Sequence, residues 1–99
     1  MMTELIQDQV AALIAAGFRA AQESGALPMF EIPEVVVERP RQSQHGDYAS
    51  PVCLRLVREA RMSPRDIATR VIEHLPSAAF VGEAEVAGPG YINVALDAS

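Results

Sequence analysis

The stretch Val86-Ala87-Gly88-Pro89-Gly90-Tyr91-Ile92-Asn93-Val94-Ala95-Leu96 admits few conformations. Two short runs of alternating residues flank a Gly-Pro-Gly corner, the pattern of one strand, a tight reversal and a second strand. Pro89 suits position i+1 of a β-turn and Gly90 suits i+2 with positive φ, as in a type II turn. If Ile92, Val94 and Leu96 face a core, the pleat sends Tyr91, Asn93 and Ala95 to the opposite face, because successive side chains alternate. An aromatic ring and an amide then stand side by side on an outer surface. Such a pair can stack on a nucleobase and read its edge. A Tyr and an Asn on a half-solvated strand are the plainer reading of the same pattern.

The core behind this hairpin has to be aliphatic, since the 99 residues include no Trp and only five Phe or Tyr. That length suits a single domain, 1–99, with an economical core. Its abrupt stop after a strand suggests a domain cut from a longer protein. The lone Cys53 excludes an internal disulfide or a Cys-based zinc site and suits a reducing compartment. On the apolar stripe of a predicted helix it behaves as a small hydrophobe rather than a nucleophile. The N-terminal stretch mixes Glu4, Gln7, Asp8 and Gln9 with apolar residues and has no basic leader, so it reads as neither signal nor transit peptide. No apolar run approaches the ~20 residues that span a bilayer. A soluble, cytoplasmic, monomeric protein without a membrane partner is expected.

The formal net charge of -5 argues at first against nucleic acid, but the charge is segregated. Residues 1–38 hold one Arg and six acids, 39–74 hold seven Arg and four acids, and 75–99 hold three acids and no base. The positive charge therefore lies almost wholly in the middle third, as Arg, whose planar fork suits phosphate. A local basic surface on an acidic protein suits a partner bound at one face. The same Arg residues also read as solvated helix faces, with Glu59 near Arg55 and Glu73 near Arg70.

Thr3 to Ser24 reads as an amphipathic helix, with Ile6, Val10, Leu13, Ile14, Gly17, Phe18 and Ala21 on its apolar stripe. Gln7, Arg19, Gln22 and Glu23 fall on the other face. Thr3 is the expected N-cap and Ser24-Gly25 the stop. Gly17, costly in a helix interior by ~1 kcal/mol, marks a close approach of another element. Val35-Val36-Val37 within 34–38 reads as a strand. Ala49, Val52, Cys53, Leu56, Val57 and Ala60 recur at helical spacing and predict a helix over 48–60, with Asp47 or Ser50 as its N-cap. Ser63-Pro64-Arg65-Asp66 starts another helix, which Pro76 closes. The expected fold is α+β, three helices on one face of a small, mainly antiparallel sheet, in the order α-β-α-α-β-β.

His45-Gly46-Asp47-Tyr48 places an imidazole beside a carboxylate, but no nucleophile accompanies them. Gly46-Asp47 reads more simply as a turn feeding a helix cap. His45 and His74 lack ligand-spaced partners for a metal. Gly88-Pro89-Gly90 is not a dinucleotide loop, which needs a third Gly and a following helix. No catalytic, cofactor-binding or metal-binding residue is assigned.

Four motifs occur in a telling order: Val37-Glu38-Arg39-Pro40, His45-Gly46-Asp47-Tyr48-Ala49, Ser63-Pro64-Arg65-Asp66-Ile67-Ala68 and Val86-Ala87-Gly88-Pro89-Gly90-Tyr91-Ile92-Asn93. Together they resemble the N-terminal appended domain of arginyl-tRNA synthetases over nearly the whole chain. The resemblance implies a domain that contacts the D-loop, at the outer corner of tRNA(Arg), through the last hairpin. It implies Tyr91 stacking on an unpaired base and Asn93 hydrogen-bonding to it. Family members commonly carry Phe at the position of Tyr91, and Gly88 offers no side chain for a contact some members make before the turn. Arg39, Arg41, Arg55 and Arg58 are the candidate phosphate contacts, and Gly46, Asp47, Gly88, Pro89 and Gly90 the structural positions. The parent enzymes are class I, ATP-dependent ligases with HIGH and KMSKS-type signatures, neither of which occurs here. The domain alone is therefore expected to be inactive and to work beside the catalytic domain of a parent synthetase. A protein-interaction or dimerisation domain of the same fold is the alternative, favoured by the net acidity.

Overall fold

The structure is a computed structural model that describes residues 6–40 and 46–97. Helix α1 spans Ile6–Ser24 and buries Val10, Leu13, Ile14, Gly17, Phe18 and Ala21, the stripe its spacing predicts. Gly25, at φ 85°, takes the left-handed conformation that ends the helix cheaply. The proposed cap at Thr3 lies outside the described residues. Gln22 departs from expectation: it is buried, because its amide nitrogen donates to the carbonyls of Pro28 and Phe30 and holds the returning connector. Phe30 then meets Phe18 edge to face, with ring centroids 6.5 Å apart.

The run 34–38 is not a strand. Only Glu38 makes a bridge, exchanging backbone hydrogen bonds with Ala49. Carbonyls that a ladder would use are taken by side chains instead: Gln7 donates to Val37 O, and the Ser50 hydroxyl donates to Val36 O at 2.6 Å. The expected helix over 48–60 is likewise replaced by three pieces. Tyr48–Ser50 form strand β1, Val52–Arg55 a 3-10 turn, and Val57–Ala60 the single turn α2. Pro51 lacks the N–H a continuous helix would need, and β1 finds its partners in the final strand. Ser50 keeps part of its expected capping role, since its hydroxyl accepts from the Val52 N–H.

Helix α3, Pro64–Glu73, begins as its sequence dictates, with the Ser63 hydroxyl accepting from the Asp66 N–H and Pro64 in the first turn. It crosses α1 at Gly17. A Cβ there would stand 2.8 Å from Leu75 Cδ2 and 3.0 Å from the Val71 carbonyl oxygen, so only glycine lets the helices approach this closely. At their C-terminal ends the His74 ring joins the two, Nε2 lying 2.9 Å from Ser24 Oγ and Nδ1 2.8 Å from the Arg70 carbonyl.

Strands β2, Val81–Ala87, and β3, Tyr91–Leu96, form the expected hairpin. The sheet order is β1-β3-β2, both pairs antiparallel, with Ser50 opposite Ile92 and Tyr48 opposite Val94 on one side and Ala87 opposite Tyr91 on the other. Ile92 and Val94 are wholly buried against Phe18, Val52, Cys53, Ile67 and Val71, so helices cover one face of the sheet only. The result is an α+β fold, three helices and a three-stranded antiparallel sheet. Among the described residues, no helix is long and apolar enough to cross a membrane, and no group of three or more His, Cys, Asp or Glu could hold a metal ion.

Candidate nucleic-acid interface

The face of the sheet away from the helices carries Tyr91, Asn93 and Ala95 of β3, with Ala49, Glu83, Glu85 and Ala87 as their cross-strand neighbours. The pleat therefore divides β3 as expected, but exposure is uneven. Tyr91 is half-buried, whereas Asn93 is only 4% exposed. The correction has a topological cause: β3 is the central strand, and the bridge at Glu38 adds another flank beyond β1. A carboxamide expected to stand free lies instead in a recess.

That recess is a cavity of about 280 Å³ lined by Glu38, Pro40, Ala49, Ala87, Gly88, Pro89, Tyr91 and Asn93. Ala49 and Ala87 are small, which leaves the space that larger side chains at those positions would fill. Among the described residues the Asn93 amide has no hydrogen-bond partner, so its donors and acceptor remain available to a ligand. A tyrosine ring beside an unpartnered amide in an otherwise mostly carbon-lined recess matches the needs of a planar heterocycle.

The turn that closes the hairpin differs from the type II expectation. The Gly90 N–H donates to the Ala87 carbonyl, which makes Gly88 and Pro89 the two central residues. Gly88 has φ 55°, and proline holds φ near -65°, the sign pattern of a type II′ turn. Type II′ matches the twist of paired strands better than type II does. Gly90, at φ 142°, lies against the first turn of α3.

Gly46 and Asp47 also act on the sheet rather than on a helix. Gly46, at φ 95°, sits where a Cβ would come 3.0 Å from the Val94 carbonyl oxygen. Asp47 donates its N–H to that carbonyl, and its Oδ2 accepts from the Leu96 N–H at 2.7 Å. The helix-cap role expected of Asp47 is thus replaced by a cap on the last residues of β3, next to its pairing with β1.

The candidate arginines separate in space. Arg39 lies between two residues that line the recess, and its guanidinium sits over the Tyr48 ring, 5.5 Å from the centroid. Arg55 and Arg58 instead line a shallow depression with Leu54, Val57 and Glu59, sharing no residue with the recess. They belong to the segment that packs Val52 and Cys53 behind Ile92, on the helical side. Arg41 and His45 lie outside the described residues. Arg65, which the sequence places only on an outward helix face, donates through Nη1 to the Gly88 carbonyl at the rim of the recess. Nothing in its helical spacing signals that contact.

The sequence profile described as Arginyl tRNA synthetase N terminal domain matches residues 2–96. The chain belongs to that family. Among curated members, the arginine–tRNA ligases of Desulfitobacterium hafniense (strain DSM 10664 / DCB-2) and Halorhodospira halophila are each 43% identical, over 93 and 88 residues. These alignments take in 93% and 88% of this chain but 17% and 15% of the relatives, so the chain spans about one sixth of their length. The solved arginyl-tRNA synthetase of Thermus thermophilus is similar, with a TM-score of 0.68 at 29% identity, covering 94% of this chain and 14% of that one. The Plasmodium falciparum enzyme shares the fold, with a TM-score of 0.75 at 13% identity over 98% of this chain and 17% of its own.

Proposed function

We propose that this domain binds tRNA(Arg) for an arginine–tRNA ligase, contacting the D-loop at the outer corner of the tRNA and so supporting arginylation. The observation that carries the reading is the recess in which the Tyr91 ring meets the Asn93 amide, which has no hydrogen-bond partner among the described residues. An unpaired base stacks on Tyr91 and exchanges hydrogen bonds with Asn93, while Arg39, next in sequence to the recess-lining Glu38, takes a flanking phosphate. Glu38 lines the recess and Glu85 stands opposite Asn93, so the approach favours an uncharged base over a phosphate at that point. ATP-dependent activation of arginine belongs to the remainder of the ligase, because HIGH and KMSKS-type signatures do not occur in these 99 residues.

The test uses the full-length ligase carrying this domain. Base stacking contributes ~1 to 3 kcal/mol, so Tyr91→Ala is expected to raise KM for tRNA(Arg) about tenfold or more. Asn93→Ala also weakens tRNA use but leaves the urea midpoint unchanged, since it strands no partner among the described residues. Normal arginylation by Tyr91→Ala rejects the reading and leaves the protein-interaction alternative standing.

A further inference from the structure

We infer that Arg65 is a positioning residue for tRNA recognition, an inference that rests on the base-binding reading above. The Gly88 carbonyl belongs to the central peptide of the turn, the unit whose rotation distinguishes one β-turn type from another. Pro89 fixes φ on one side of that peptide, but on the other side no side chain of Gly88 restrains its ψ. Nothing lies within 4 Å of where a Gly88 Cβ would be, so packing does not supply the missing constraint. Arg65 supplies it by donating from Nη1 to the Gly88 carbonyl.

A second contact seats the same turn on the same helix. A Cβ on Gly90 would lie 2.3 Å from Pro64 Cβ and 2.8 Å from the Pro64 carbonyl carbon, so the turn rests directly on the start of α3. The Ser63 cap and the Thr69 hydroxyl, which donates to the Arg65 carbonyl, hold that first turn in place. Gly88 and Pro89 form one wall of the recess, and Tyr91 follows Gly90 directly. Arg65 therefore sets the distance between that wall and the ring without touching the base.

The experiment measures tRNA(Arg)-dependent arginylation by the full-length ligase for Arg65→Gln, Arg65→Lys, Tyr91→Ala and the Arg65→Gln/Tyr91→Ala double variant. Loss of one hydrogen bond of this kind predicts a rise in KM for tRNA of about three- to tenfold in Arg65→Gln, with kcat and melting temperature unchanged. Arg65→Lys, which keeps a charged donor, recovers part of the loss. Because Arg65 acts through the recess, Arg65→Gln adds little in the Tyr91→Ala background. The slope of log KM against log salt stays at its wild-type value.

Three results overturn the inference. An unchanged KM in Arg65→Gln beside a raised KM in Tyr91→Ala removes Arg65 while sparing the base-binding reading. An additive effect with a salt slope reduced by about 0.7 to 0.9 makes Arg65 a phosphate contact instead. An unchanged KM in Tyr91→Ala removes the base-binding reading and the inference with it. If Arg65→Gln melts below the assay temperature, Arg65→Lys decides: a raised KM that adds little in the Tyr91→Ala background supports the positioning role, and a wild-type KM from a folded variant rejects it.

Discussion

Cys53 is wholly buried in the core, and removal from water pushes its thiol from 9.0 up to about 12. At neutral pH it is an uncharged, inaccessible group, in keeping with its place on the apolar side of the chain. The shift has a sign for stability. Below pH 9 both folded and unfolded chains hold the proton; between 9 and 12 the unfolded chain loses it first, so stability falls as pH rises. By pH 10.5 the loss amounts to ~2 kcal/mol. Urea unfolding at pH 8 and 10.5 is expected to show the wild-type advantage over Cys53→Ala shrinking by that amount. An unchanged difference would mean that the thiol ionises in place.

At the scale of elements, the α1–α3 crossing depends on a missing side chain. Gly17→Val would drive branched carbons into Leu75 and the Val71 carbonyl, and overpacking of this kind costs ~1 to 3 kcal/mol. That outweighs the helix propensity gained, so the urea midpoint should fall. A midpoint at or above wild type would show that the helices can separate without penalty. Gly17, the α3 start and the hairpin were legible because their signals are local: an out-of-place glycine, a Ser-Pro-x-Asp cap, and alternation around Gly-Pro-Gly. The segment 48–60 was legible only in part. Ala49, Val52, Cys53, Leu56 and Ala60 are buried as their spacing implied, yet the backbone is strand, 3-10 turn and one helical turn. Val57 is the stripe residue the broken backbone turns outward, at 42% exposed. The deciding interaction, β1 on β3, joins residues over forty positions apart and leaves no trace in a local period. The contact of Arg65 leaves no local trace for the same reason, because its partner is a backbone carbonyl 23 residues later.

Across the whole molecule, an acidic chain presents a candidate RNA face with one arginine bonded at its rim. Arg65 is bonded to one wall of the recess, Arg39 follows the recess-lining Glu38 in sequence but lays its guanidinium over Tyr48, and Glu83 and Glu85 occupy the open sheet beyond. Arg55 and Arg58 lie on the helical side and are poor candidates for the same RNA contact. If Arg39 takes a phosphate, Arg39→Gln in the full-length ligase should reduce the salt slope of tRNA binding by about 0.7 to 0.9, with Arg55→Gln leaving it unaltered. Filter binding over a range of salt concentrations distinguishes the two, and equal slopes in all three proteins would remove Arg39 from the interface.

The strand order β1-β3-β2 also bears on how the domain comes into being on the ribosome. The middle strand is synthesised after both of its neighbours, and Asp47 waits 49 residues for the Leu96 N–H it accepts. Until Tyr91–Leu96 clear the exit tunnel, β1 has no ladder partner and the nascent helices lack the two buried side chains, Ile92 and Val94, that close the core. The recess is therefore complete only once Tyr91–Leu96 have paired with both neighbours.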